Sequence, residues 1–245
     1  GGLDTSVMVR WLMEKYNFEV VTVTVDVGQR EDLKAIEGKA KTIGSSKHYT
    51  IEAEKEFIEN FVFPAIKANG LYEGKYPLSS ALSRPLIATK LVEAAKIEKA
   101  STVAHGCTGR GNDQVRFEVT IEALNPNLRI IAPVREWKLD RDEEIRYAKK
   151  HGIPVTPKKH SYSIDQNLWG RSIECGPLDD PEKEPPSDVF EWTTHPEKAS
   201  DIPEYVNISF EKGVPISINN EKLDGPTLVN LMNDLAGRHG VGRID

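Results

Sequence analysis

Gly1-Gly2-Leu3-Asp4-Thr5-Ser6 runs straight into the apolar-periodic segment Val7-Met8-Val9-Arg10-Trp11-Leu12, and the reading of this junction decides the fold. Two glycines followed by Asp, Thr and Ser at the start of a helix describe a loop whose backbone N–H groups, with the positive end of the helix, hold phosphate. Glycine lets the backbone approach the phosphates, the hydroxyls of Thr5 and Ser6 add donors, and Asp4 can cap the helix or face a metal-bound phosphate. The same residues also make an ordinary helix start, so the junction needs a second observation to carry a function. No G-x-x-x-x-G-K-[ST] sequence occurs, which leaves a kinase-like or GTPase-like γ-phosphate site without support.

Working outward, Val7, Met8, Trp11 and Leu12 share one side of a helix over residues 4–16. Val21, Val23, Val25 and Val27 then alternate with Thr22, Thr24 and Asp26 up to Gly28, which reads as a strand. The pattern continues with a helix over 32–42, a short strand over 48–51 and a helix over 54–67 bearing Phe57, Ile58, Phe61 and Phe63. A helix over 84–97 carries Pro85 in its first turn, where the missing N–H costs nothing. Strands over 102–104 and 129–134 and a charged helix over 140–150 follow. Strands alternating with helices predict a parallel sheet, with ligands at the carboxyl ends of the strands, where Asp26-Val27-Gly28-Gln29 lies.

The second informative stretch is His105-Gly106-Cys107-Thr108-Gly109-Arg110-Gly111-Asn112-Asp113-Gln114-Val115-Arg116-Phe117-Glu118. Its glycines, followed by Asn and Asp just before a helix and by Arg116 in that helix's first turn, gather polar groups at one strand's end. A Gly-rich strand-to-helix turn with a surface ion pair has the same composition. From about Lys158 the texture changes. Ser161 to Ser172 leads into the Pro- and acid-rich loop Pro177 to Ser187, and strands over 205–208 and 215–218 read as an antiparallel hairpin. Asp224 caps a final helix with Pro226 in its first turn. This divides the chain into residues 1–158 and 159–245.

The 245 residues carry a formal net charge of -6, which argues against a general nucleic-acid binder. The two cysteines, Cys107 and Cys175, form neither a metal-ligand spacing nor a disulfide framework, which fits a reducing cytoplasm and predicts no structural zinc. No apolar run approaches the ~18 residues that span a bilayer, and no signal peptide is visible, so no membrane association is expected.

Taken together, Gly1 to Ser6, Tyr76-Pro77-Leu78, Arg84-Pro85-Leu86-Ile87-Ala88, the stretch from His105 to Glu118, Ser163-Ile164-Asp165-Gln166-Asn167-Leu168 and His239-Gly240-Val241-Gly242-Arg243-Ile244-Asp245 resemble, in the expected order, the argininosuccinate synthase family, within the N-type ATP pyrophosphatases. The resemblance implies an α/β fold: a parallel-sheet, Rossmann-like nucleotide-binding domain of the ATP pyrophosphatase type, followed by a smaller α+β synthetase/multimerisation domain. It implies that ATP, citrulline and aspartate, with Mg2+, become argininosuccinate, AMP and pyrophosphate through a citrullyl-adenylate, with no covalent enzyme nucleophile.

Carried over by motif, Gly1, Gly2, Leu3, Asp4, Thr5 and Ser6 would bind the ATP phosphates, Val25 would lie beside adenine, and Gly106 would contact the nucleotide. Thr108, Asn112 and Asp113 would hold aspartate. Tyr76, Asn112, Arg116, Ser163 and Ser172 would bind citrulline, Arg116 being a natural fork for its carboxylate. No side-chain metal ligand is implied. The family usually has Ala where Val25 stands and Gly-Thr-Ser where this chain has Ser79-Ser80-Ala81, so Ser80 is the substitute for a missing citrulline hydroxyl. The resemblance also implies a strand ahead of Gly1, further citrulline residues and a helix beyond Asp245, and a cytoplasmic homotetramer. The rival readings are another pyrophosphate-releasing enzyme that transfers an amide or thiol group, and a non-catalytic nucleotide-binding module.

Overall fold

The computed structural model describes residues 2–137, 139–154 and 162–244; Gly1 and the 158/159 boundary lie outside the described residues. In chain order the elements are α1 (Leu3–Tyr16), β1 (Val21–Asp26), α2 (Leu33–Ile43), β2 (Lys47–Glu52), α3 (Glu54–Phe57), a π turn (Ile58–Val62), α4 (Phe63–Lys67), α5 (Ser79–Ile97), β3 (Thr102–Ala104) and α6 (Asp113–Leu124). There follow β4 (Arg129–Ile131), α7 (Pro133–Glu136), α8 (Arg141–Lys150), β5 (Ser163–Asn167), β6 (Gly170–Glu174), three short 3-10 turns, β7 (Ile208–Glu211), β8 (Val214–Ile218), β9 (Glu221–Lys222) and α9 (Gly225–Arg238).

Two compact units result. The first comprises Gly1–Asp26, Arg30–Glu52 and Arg84–Lys158; the second comprises Val27–Gln29, Ala53–Ser83 and Lys159–Asp245. In the first unit β1 pairs in parallel with β2, Val21 opposite Lys47, and β3 pairs in parallel with β4, Thr102 opposite Arg129. The parallel pairing expected from the alternation is therefore present, in two two-stranded sheets. Leu3, Val7 and Val9 of α1 bury against Trp137, Ala148 and Ile153, while Ala88 and Ala95 of α5 pack with Val103 and Ile121. A cavity of about 630 Å³ is walled by Val21 and Val23 of β1, Val103 of β3, Leu12 of α1 and Leu91 of α5, with Thr5, Ser6 and Gly106 also on its lining.

In the second unit β5 and β6 form an antiparallel hairpin, and β7, β8 and β9 an antiparallel sheet on which Leu228 and Leu235 of α9 bury Ile218. Asp224 caps α9, its carboxylate accepting from the Thr227 amide at 2.9 Å, as the sequence predicts.

Four local expectations are corrected. The helix over 54–67 contains a π turn, where the Phe63 amide donates back to Ile58; Pro64, next in line, has no N–H to continue the α pattern. The next helix begins at Ser79 rather than Arg84, so Pro85 lies inside it, and the Ser83 and Thr89 hydroxyls donate to the Ser80 and Pro85 carbonyls around it. The strand expected over 129–134 stops at Ile131 because Pro133 starts α7. The first strand of the late hairpin lies at Ile208–Glu211, not 205–208: a two-residue turn at Lys212 and Gly213, both at positive φ, keeps Glu211 in the ladder opposite Val214.

Candidate nucleotide and amino-acid site

The phosphate loop enters α1 with Gly2 at the N-cap in extended conformation and no side chain capping the helix. Asp4 therefore does not cap; it sits in the first turn and its carboxylate accepts from Arg141 at 2.7 Å. The hydroxyls of Ser6 and Thr5 donate back to the Gly2 carbonyl at 2.7 and 3.2 Å. The first-turn amides are thus the groups left to meet an anion, and the helix end gives them positive potential. A Cβ built on Gly106 would stand 3.2 Å from the Thr5 methyl, so the two predicted nucleotide segments approach each other in the first unit. Leu3 is buried under the loop and Val25 is buried in β1.

At the N-terminus of α6, Asp113 is clamped by two guanidinium groups. Arg84 Nε donates to one carboxylate oxygen at 2.8 Å and Arg116 Nη1 to the other at 2.7 Å. Arg84 is only 18% exposed, so this carboxylate is screened from water on one side. Sequence reasoning quoted Arg84 as part of a block but gave it no role; the signal was an arginine one residue before Pro85. Thr108 folds its loop, accepting from the Arg110 amide at 3.3 Å and donating to the Arg110 carbonyl at 3.1 Å. Asn112 takes the N-cap position of α6 without a side-chain cap bond.

Beside them, burial, reinforced by Asp113, pushes the Cys107 thiol up to about 11. Burial likewise holds the His105 imidazole below its ordinary value, against the opposing pull of Glu118 at 3.2 Å.

In the second unit Tyr76, Ser80 and Ser172 come together. Tyr76 Oη lies 3.3 Å from Ser172 Oγ and 3.2 Å from Ser79 Oγ, and accepts from the Ser80 amide at 3.1 Å. The Ser80 and Ser172 hydroxyls are 3.3 Å apart. Burial pushes the Tyr76 phenol up, but the bonds from Ser172, Ser79 and Ser80 together outweigh it and hold it below its ordinary value. Ser163 shares this face of the β5–β6 hairpin, since Ser163 pairs with Glu174 and Asp165 with Ser172.

The hairpin fixes the loop before α5. The buried Asn167 amide donates to the Ser79 carbonyl at 2.7 Å and the Trp169 indole to the Pro77 carbonyl at 2.9 Å. Gly170 is required there, because a Cβ would stand 2.9 Å from that of Ser79. Leu78 is held at a φ of +57°, a strained value for a leucine, of the kind that gathers at functional sites. Of the predicted citrulline set, the second unit holds Tyr76, Ser80, Ser163 and Ser172, and the first holds Asn112 and Arg116. Among the described residues no group of three or more His, Cys, Asp or Glu could hold a metal ion.

A family profile described as the arginosuccinate synthase N-terminal HUP domain matches residues 1–154, and one described as the arginosuccinate synthase C-terminal domain matches 162–245. The chain is 61% identical over 245 residues to the argininosuccinate synthase of Pyrococcus furiosus, covering all of this chain and 59% of that protein. It is 58% identical over 247 residues to that of Symbiobacterium thermophilum and 55% identical over 245 residues to that of Pyrobaculum aerophilum, in each case covering all of this chain and 62% of the relative. The chain thus spans about 60% of the length of the curated relatives it matches.

Proposed function

This chain belongs to the argininosuccinate synthase family, and we propose on that premise that it is the nucleotide-binding region and part of the synthetase region of an enzyme that condenses citrulline with aspartate at the expense of ATP. The citrulline ureido oxygen attacks the α-phosphorus, releasing pyrophosphate and leaving a citrullyl-adenylate. The aspartate amine then attacks the ureido carbon and AMP departs. Neither step needs an enzyme nucleophile. Rate comes from alignment and from stabilising charge on the phosphoryl groups.

The observation that carries the reading is the Arg84–Asp113–Arg116 clamp at the N-terminus of α6. It presents a carboxylate able to accept from the aspartate ammonium group beside guanidinium groups able to bind substrate carboxylates. Thr108 and Asn112 add a hydroxyl and an amide for aspartate. The segment Gly1 to Ser6 takes the phosphates, with Val25 beside adenine and Gly106 against the nucleotide. Tyr76, Ser80, Ser163 and Ser172 offer hydroxyls to citrulline, together with Asn112 and Arg116. Mg2+ would arrive with the phosphates held by the Gly1 to Ser6 segment and would supply charge neutralisation for the departing pyrophosphate.

The division into residues 1–158 and 159–245, a homotetramer and a cytoplasmic setting complete the reading. Light scattering on the protein at the length of its relatives tests the assembly. The direct test of function replaces Asp113 by Asn. Loss of the aspartate-dependent step with adenylation retained supports the assignment; loss of adenylation first moves Asp113 to the phosphate machinery.

A further inference from the structure

The phosphate loop rests on a carboxyl group that the proposed chemistry does not use. Glu144, in the first turn of α8, is 6% exposed. Arg141 Nη1 reaches both the Asp4 carboxylate, at 2.7 Å, and the Glu144 carboxylate, at 3.3 Å. Asp4 faces Glu144 closely enough to raise its carboxyl. Two carboxyl groups joined in this way need a proton between them or a cation beside them, and a single guanidinium serves both.

We propose that Glu144 is a positioning residue for nucleotide binding: it donates a hydrogen bond to Asp4 and so fixes the first turn of α1, whose amides receive the phosphates. The inference rests on the functional reading above. Burial, reinforced by Asp4 and opposed by Arg141, raises the Glu144 carboxyl to about 7. Below that pH Glu144 is neutral and a donor. Above it, a second negative charge faces Asp4 and the loop loses its support.

Glu14, Arg135 and Glu136 on the packed elements are engaged elsewhere. On α1 and α8, Glu14 accepts from Arg10, Tyr147 and His151. On α7, Arg135 pairs with Glu118, and Glu136 accepts from Lys15 and Tyr16. Asp4 and Arg141 are the charged groups that act on Glu144.

The test is ATP affinity by calorimetry between pH 6 and 8, in the protein at the length of its relatives, for wild type, Glu144→Gln and Glu144→Ala. Wild type should weaken about fivefold as pH rises through 7, the size of one lost hydrogen bond. Glu144→Gln, a permanent neutral donor, should hold the tight affinity across the range, and Glu144→Ala the weak one. A glutamine variant that keeps the wild-type pH dependence, or an alanine variant with wild-type affinity, overturns the proposal. Amide exchange at Thr5 and Ser6 without nucleotide gives a second reading. It should quicken with pH beyond the intrinsic base-catalysed rise in wild type only. Absence of ATP binding in every variant would refute the functional reading, while this exchange difference would still decide the role of Glu144.

Discussion

Asp113 meets two guanidinium groups, and each makes a different prediction. Arg116→Lys keeps the charge but loses the planar fork, and should raise the citrulline KM about tenfold with a smaller change in kcat; an unchanged citrulline dependence removes Arg116 from the site. Arg84→Met strips one side of the clamp, leaving Asp113 to Arg116 alone, and should raise the aspartate KM while ATP affinity holds. Tyr76→Phe removes the oxygen shared by Ser79, Ser80 and Ser172, and should weaken citrulline about fivefold. Asp113 and Arg116 were legible because both lie in one Gly-rich strand-to-helix turn with helical spacing. Arg84 was not, because it meets Asp113 across 29 residues and no local pattern encodes that meeting. The Asp4 cap failed for a related reason: Gly2 takes the N-cap position, and Arg141, far along the chain, engages the Asp4 carboxylate.

At the scale of elements, a glycine fixes one of the packings. A Cβ on Gly225 would stand 2.8 Å from a methyl of Ile58 and 3.1 Å from the Phe63 ring, so the π turn and the start of α9 close only around a residue without a side chain. Gly225→Ala should cost about 1–3 kcal/mol in urea unfolding; an unchanged midpoint would mean that the π turn gives way freely. Helix α1 and the strand at Val21–Asp26 were legible from apolar periodicity, and the Asp224 cap from its position before Gly225-Pro226. The β5–β6 hairpin was not, since Ser163, Asp165 and Asn167 supply polar side chains to the face that gathers the serines and Gln166 puts another polar group on the opposite face, a run that resembles a loop.

For the whole molecule, the central claim is that the groups in these two units serve one condensation, with ATP spent as AMP and pyrophosphate. Both family profiles fall on the chain in order, and the folded units hold amides at a helix start, a clamped carboxylate and a set of hydroxyls held by a hairpin. The measurement that tests this most directly is pyrophosphate release from ATP, with the chain extended to the length of its relatives and citrulline and aspartate supplied singly and together. Multiple-turnover release that requires both amino acids is the predicted result. Release that ignores either one under turnover, or ATP binding with no release under any combination, would contradict it, the latter in favour of a nucleotide-binding module.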